Sequence, residues 1–168
     1  LDQDNPPDVR LVFQNPALLG SLTIEDNVGF ILNRNKNVPK KHIKALVNEC
    51  LEEVGLFDVA HKLPNELSGG MQKRVSFARA LISEPKEKNE NKPLLLFDEP
   101  TAGLDPIAST RIEDLINKTN DKVKGSSIVV SHVLSTIERT STKVLMLYGG
   151  QFRWEGSVAD FKKSNDPY

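Results

Sequence analysis

The stretch Leu94-Leu95-Leu96-Phe97-Asp98-Glu99 decides how this chain is read. A continuous apolar run after Pro93 predicts a buried strand, and two adjacent carboxylates stand at its C-terminal end. In open parallel sheets that edge is where ligands bind. Successive strand residues point to opposite faces, so Asp98 and Glu99 take different roles. At such an edge one carboxylate can help to hold a cation and the other can accept a proton from water. The competing possibility is a plain strand end running into an Asp-Glu-Pro turn.

On the C-terminal side of this stretch, 107–119 is helical and Ser126–Val130 is another apolar strand. Residues 133–140 predict a helix, and Lys143–Tyr148 a further strand. Apolar strands alternating with helices indicate an α/β fold whose parallel sheet is covered on both faces. The N-terminal side is helix-rich. Residues 9–13 predict a short strand ended by Gln14-Asn15-Pro16, and 24–32 is apolar before a polar loop closed by Pro39. Ile43, Leu46, Val47, Cys50, Leu51 and Val54 form one helical stripe that Gly55 stops. Ser68-Gly69-Gly70 opens a second helix carrying Val75, Phe77, Ala78, Leu81 and Ile82. Residues 84–92 are almost purely polar and predict a surface loop.

Composition narrows the class. The 168 residues suit one domain or a large piece of a bigger one. Lys and Arg number 22 against 23 Asp and Glu, a balance that argues against a dominantly basic nucleic-acid binder. The single cysteine, Cys50, excludes a disulfide framework and suits a reducing compartment. No apolar run approaches the roughly 20 residues that span a bilayer. There is no signal-peptide pattern, and a start at Leu1 rather than Met suggests an N-terminus that is not the natural one. His42 and His61 are expected in solvent, Cys50 in the core, and Trp154 with Phe152 in strand packing near Gly150 and Gly156.

Three further strings carry chemistry. In Leu67-Ser68-Gly69-Gly70-Met71-Gln72-Lys73-Arg74, two glycines at a helix start expose backbone N–H groups beside the positive end of the dipole. Without a Cβ at either position, a γ-phosphate can approach the backbone closely. The simpler account is a Ser68 N-cap with a flexible entry. A chance Leu-Ser-Gly-Gly is expected in about one chain in a hundred or fewer. Ser131-His132 directly follows a strand, where a histidine can hydrogen-bond a phosphate oxygen, although a lone histidine there is more often structural. Gln14 ends the first strand, where an amide can reach a metal ion or the attacking water.

Taken in order, these strings resemble the nucleotide-binding domain of ABC ATPases. Phe13-Gln14 is similar to the Q-loop, Leu67 to Gln72 to the ABC signature, and Leu94 to Glu99 to the Walker B strand. Ala102-Gly103-Leu104-Asp105 is similar to the D-loop and His132 to the switch histidine, so the likeness runs from about Val9 to Trp154. The resemblance implies a P-loop NTPase fold with a helical subdomain and a homodimer holding two ATP molecules at its interface. Ser68, Gly69, Gly70 and Gln72 would then face the nucleotide of the opposite subunit, and Asp105 would contact across the dimer. Gln14, Asp98, Glu99 and His132 would serve the nucleotide and Mg²⁺ on their own side. Residues 1–20 would form the Q-loop strand and loop, 21–92 the helical subdomain, and 93–168 the RecA-like core. Met71 stands where many transporters carry Gln, leaving Gln72 as the nearest amide.

The sequence contains no Gly-x-x-x-x-Gly-Lys-Ser/Thr, the loop that cradles β- and γ-phosphates. The chain is therefore expected to be the C-terminal part of such a domain, inactive in ATP hydrolysis by itself. Gln14 and Ser68 lie 54 positions apart, leaving no room for the long coiled coil of DNA-repair or chromosome-organising ABC ATPases. One signature without a second cassette argues against the tandem translation-factor type. The stretches 21–30, 67–75, 98–110 and 135–140 resemble Mla-type lipid importers and the plastid (trigalactosyldiacylglycerol) importer ATPases. That likeness implies a peripheral subunit at the cytoplasmic or plastid stromal face of a membrane. Its partners would be a transmembrane permease and an Mla-type substrate-binding protein, with no nucleic acid. Two alternatives stay open: an importer ATPase for small polar solutes, and a catalytically inert ABC-like fragment acting as an interaction module.

Overall fold

Three parallel strands, β1 (Val9–Val12), β2 (Leu94–Asp98) and β3 (Ser126–Val130), lie side by side in that order. They belong to a computed structural model that describes residues 8–34, 38–82, 93–123 and 125–163. The expected loop 84–92 and the chain start at Leu1 lie outside the described residues. Register aligns Val12, Phe97 and Val129, so these side chains share one sheet face with Leu95, and that face joins the main apolar core. The opposite face carries Val9, Leu11, Ile128 and Val130, each at least 38% exposed. The expectation of a sheet covered on both faces is thus corrected: among the described residues, one face is packed. An apolar run specifies that a strand tolerates burial, but the elements packed on it decide which face is dry.

Lys143–Tyr148 also departs from expectation. As β4 it pairs antiparallel with β5 (Gln151–Ser157) in a separate two-stranded sheet. The reason is Gly149-Gly150, whose φ values of 57° and 75° make a two-residue type I′ hairpin turn. A parallel partner would need a crossover of a dozen or more residues. Trp154 packs against Phe161 in a tilted arrangement with ring centroids 5.1 Å apart, over Gly156, where a Cβ would come within 2.8 Å of the indole. Phe152, expected to share that packing, sits opposite Leu147 with both side chains exposed.

Between β1 and β2 run α1 (Ile24–Val28), α2 (Phe30–Asn33), α3 (Lys40–Glu53) and α4 (Gly69–Leu81). The stripe on α3 buries Ile43, Leu46, Val47 and Leu51. The helix ends in a Schellman motif: Leu56 N–H donates to Leu51 C=O, Gly55 N–H to Glu52 C=O, and Gly55 has φ 69°. Cys50 is half-buried beside this core, and burial, with Glu53 next, pushes its thiol up to about 11. It stays protonated in the folded state while an unfolded chain would ionise near its ordinary value, so this contribution is present at neutral pH and fades between about 9 and 11. Gly29 lets α1 approach α3, since a Cβ there would lie 3.1 Å from both Glu25 C=O and Ile43. His42 and His61 are exposed, as expected.

Asn27 holds the loop before α1. Its side chain is 1% exposed, its Oδ1 accepts from Leu19 N–H at 2.7 Å, and its Nδ2 donates to the carbonyls of Leu19, Leu22 and Thr23. Asn27→Leu strands those backbone groups and is expected to cost about 1–3 kcal/mol, read as a lower urea midpoint at unchanged slope. An unchanged midpoint would contradict this role.

Past β2 come α5 (Pro106–Val123), α6 (Leu134–Thr140) and the short α7 (Val158–Phe161). Ile112, Leu115 and Ile116 of α5 belong to the same apolar cluster as Ile24, Val47, Phe77 and Phe97, so one core runs through the helical segment and the sheet. Arg10 of β1, paired with Asp8, donates to the carbonyls of Ala80 and Leu81 at the C-terminal end of α4. No helix among the described residues is long and apolar enough to cross a membrane.

Candidate nucleotide site

β2 ends at Asp98, and the next residue turns sharply. Glu99 has φ 44°, a left-handed conformation that costs a non-glycine residue about 1–2 kcal/mol. Neighbouring hydrogen bonds hold it there: its N–H donates to Val130 C=O at 2.9 Å, and its C=O accepts from Ala102 N–H at 3.2 Å. Asp98 is consequently exposed beside Val130, while Glu99 turns toward the end of β3. Glu99 Oε1 lies 2.8 Å from His132 Nδ1. Its Oε2 is buried without a protein partner, an orphaned acceptor of the kind that costs stability unless something donates to it. The carboxylate side chain is only 18% exposed, whereas the His132 ring is 76% exposed and accessible from outside.

His132 is placed by the helix after it. Thr136 of α6 is fully buried, and its hydroxyl donates to Glu113 Oε1 at 2.8 Å. With that proton committed, the 3.0 Å contact between Thr136 and Thr101 has Thr101 as donor. Glu113, 3% exposed, also accepts from Arg139 Nε at 2.7 Å, and Arg139 pairs with Asp114. This chain of polar groups ties the turn after Glu99 to α5 and to α6.

The glycines lie across from that turn. Ser68 is the N-cap of α4, its hydroxyl accepting from Met71 N–H at 3.3 Å. A Cβ on Gly69 would meet nothing within 4 Å, and one on Gly70 would make only ordinary contacts with Leu104 and Ala108. Among the described residues nothing therefore demands glycine here, although each glycine costs a helix about 1 kcal/mol relative to alanine. The space they leave is a cavity of about 420 Å³, walled by Ser68, Gly69 and Gly70 on one side and Gly103, Leu104 and Asp105 on the other. Asp105 caps α5, its Oδ1 accepting from Ile107 and Ala108 N–H at 3.0 Å each. Arg74 and Arg111 also reach this cavity. Burial pushes the Arg74 guanidinium below its ordinary pKa, and Arg111 adds to the effect. Gln72, expected to reach a phosphate, instead donates its amide to the carbonyls of Pro64 and Leu67. Its place on the cavity wall is taken by Met71, because one step along a helix turns a side chain by about 100°.

Gln14 is exposed just beyond β1. The loop it belongs to is held by Arg79 of α4, which donates to Pro16 C=O at 2.9 Å and Ala17 C=O at 2.8 Å, with Ala17 at φ 48°. Burial lowers the Arg79 pKa from its ordinary value. Lys73 is 7% exposed and donates to Pro100 C=O at 3.2 Å and Ala102 C=O at 2.6 Å. Burial lowers the pKa of its ammonium, and the Glu99 carboxylate pushes it back up. Sequence reasoning missed both residues. For Lys73 a signal exists: a lysine four positions before Phe77 stands in the apolar stripe of its helix.

The donors suit Mg²⁺ better than a softer metal. Among the described residues no three His, Cys, Asp or Glu side chains gather around one point. The exposed Asp98 offers hard oxygens at the strand end, which fits an ion that takes one or two carboxylates and fills its remaining positions with water and phosphate.

Residues 2–102 match the family model described as ABC transporter. The protein TRIGALACTOSYLDIACYLGLYCEROL 3, chloroplastic, of Arabidopsis thaliana is 44% identical over 168 residues, covering 95% of this chain and 49% of the relative. The methionine import ATP-binding protein MetN 2 of Pseudomonas syringae pv. tomato is 38% identical over 152 residues, covering 90% and 43%. The chain thus spans about half the length of the curated relatives it matches. Among solved structures, a dimeric ATP-binding cassette in a post-hydrolysis state with ADP and Pi superposes with TM-score 0.75 at 29% identity, over 90% of this chain and 63% of that one. The cbiO1 protein of Clostridium perfringens, part of the transporter complex cbiONQ, gives TM-score 0.77 at 25% identity, over 95% and 61%.

Proposed function

Because the chain belongs to the ABC transporter family, we propose that it is part of an ATP-hydrolysing subunit that drives a lipid transporter from the membrane surface. The 2.8 Å pair of Glu99 and His132 at the C-terminal edge of a parallel sheet carries the catalytic part of this proposal. Glu99, whose carboxylate is partly exposed and held at Oε1 by His132, accepts a proton from the attacking water. His132 Nδ1 holds Oε1, and the exposed ring meets the terminal phosphate from its other edge. Ser68, Gly69 and Gly70 offer N–H groups at the start of α4 to the phosphates bound by a second copy, with Asp105 across the same cavity. Asp98 and Gln14 would hold Mg²⁺, which neutralises charge on the β- and γ-phosphate oxygens.

Lipid as cargo is supported by the relative at 44% identity, whose name refers to trigalactosyldiacylglycerol. A second reading, import of a small polar solute, is favoured by the methionine import relatives at lower identity. The partners proposed are a permease, a second copy of the subunit and an Mla-type binding protein, at a cytoplasmic or stromal membrane face. The test is ATP hydrolysis by the full-length protein assembled with its permease in proteoliposomes. Stimulation by phospholipid or galactolipid presented on the binding protein is expected. Stimulation by methionine alone would replace the lipid reading with the solute one, and no hydrolysis under any condition would leave the inert module.

A further inference from the structure

The cavity between the glycines of α4 and Gly103–Asp105 has two walls that belong to different parts of the chain, so something must fix their separation. Lys73 sits one turn into α4 from Gly69 and hydrogen-bonds both Pro100 C=O and Ala102 C=O, at 3.2 and 2.6 Å. Those carbonyls belong to the turn that begins at Glu99 and leads directly into the opposite cavity wall. One ammonium therefore clamps three things: the glycine start of α4, the wall at Gly103–Asp105, and the strained residue that carries the base.

A buried lysine is an expensive way to join a helix to a turn, because the ammonium loses its hydration. Its hydrogen-bond partners are both carbonyl oxygens, and the charge of the Glu99 carboxylate favours its protonated form, so the site is built for a cation. The glycines need no such clamp to remain helical, since Ser68 already caps them. What the clamp adds is a rigid relation between the place where an anion would be held and the place where the base stands.

We propose that Lys73 is a positioning residue that couples occupancy of the glycine end of α4 to the orientation of Glu99. This rests on the assignment of Glu99 as the base. A phosphate settling on the Gly69 and Gly70 N–H groups moves α4 as a unit, and Lys73 passes that displacement to the Glu99 turn. Lys73 itself bonds the carbonyls of Pro100 and Ala102 and none of the groups proposed to touch ATP, so its loss bears chiefly on Glu99. Removing it is therefore expected to lower kcat while KM for ATP stays, because a misplaced base affects the chemical step and not the ground-state contacts.

The experiment uses the full-length protein assembled with its permease in proteoliposomes and varies ATP concentration. Lys73→Met is expected to lower kcat by about 10–100-fold with KM within about twofold, since a misplacement near 1 Å can cost that much. Lys73→Arg, which restores a cation and the donors, is expected to recover most of the rate. Melting temperatures of both variants accompany the kinetics, and Lys73→Gln, which keeps a donor without the charge, replaces Met if that variant does not fold. Wild-type kcat in Lys73→Met or Lys73→Gln overturns the proposal alone. So does equal failure of the Met and Arg variants with a matching loss of thermal stability, the mark of a merely structural strut. No turnover in the unsubstituted protein, by contrast, overturns the Glu99 assignment together with it.

Discussion

Glu99→Gln in the full-length protein is expected to lower steady-state ATP hydrolysis by about 10²–10⁴-fold, the range associated with losing a general base. The substitution is close to isosteric, so the turn at φ 44°, its bond to Val130 C=O and the contact to His132 remain available. What disappears is the ability of the carboxylate to take a proton from water. ATP binding should survive, because the groups proposed to meet phosphate lie on Ser68, Gly69, Gly70 and His132, and those proposed to hold Mg²⁺ on Asp98 and Gln14. A closed dimer that retains ATP is the expected physical state, detectable as a concentration-dependent doubling of mass with nucleotide and Mg²⁺. His132→Ala measured alongside should also depress hydrolysis more than binding. Undiminished turnover in Glu99→Gln would end the assignment.

Phe77→Ala is expected to cost about 3–5 kcal/mol, the usual range for deleting a buried aromatic ring. Phe77 is 1% exposed on α4, and Phe97 is 2% exposed on β2; their rings stack with centroids 5.3 Å apart and an interplanar angle of 22°. This pair ties the helix that starts at the glycines to the strand that ends at the carboxylates. A loss of that size is a large share of the roughly 5–15 kcal/mol that holds a domain folded. It should appear as a fall in the urea midpoint without a change in slope. A loss below about 1 kcal/mol would mean that the helix and the strand are held together by other contacts.

Much of the fold was legible because its signals are local. The α3 stripe from Ile43 to Leu51 has helical period, and Gly55 terminates it through a backbone conformation that glycine adopts freely. Ser68 marked the start of α4 for the same kind of reason, a hydroxyl able to bond an N–H three residues on. The strand ending at Asp98 was visible as an apolar run of strand length. What escaped were facts that depend on partners distant in sequence. Lys143–Tyr148 looks like any buried strand until Gly149-Gly150 folds it back on β5. Gln72 and Met71 are neighbours in sequence, yet the pitch of α4 sends one to Pro64 and the other to the cavity.

Which chemical groups are present follows from residue order alone: two carboxylates after an apolar strand, a histidine after another, and two glycines opening a helix. Each is a covalent neighbour relation, and covalent spacing is fixed before folding. Which of these groups meet depends on how the folded chain packs. Glu99 and His132 are 33 positions apart and 2.8 Å from each other because β2 and β3 lie in register, Asp98 beside Val130. Lys73 and Ala102 are 29 positions apart and joined because α4 packs its stripe against the β2 side of the sheet. Register and packing are set by the summed burial of many side chains, and no short window of sequence contains that sum.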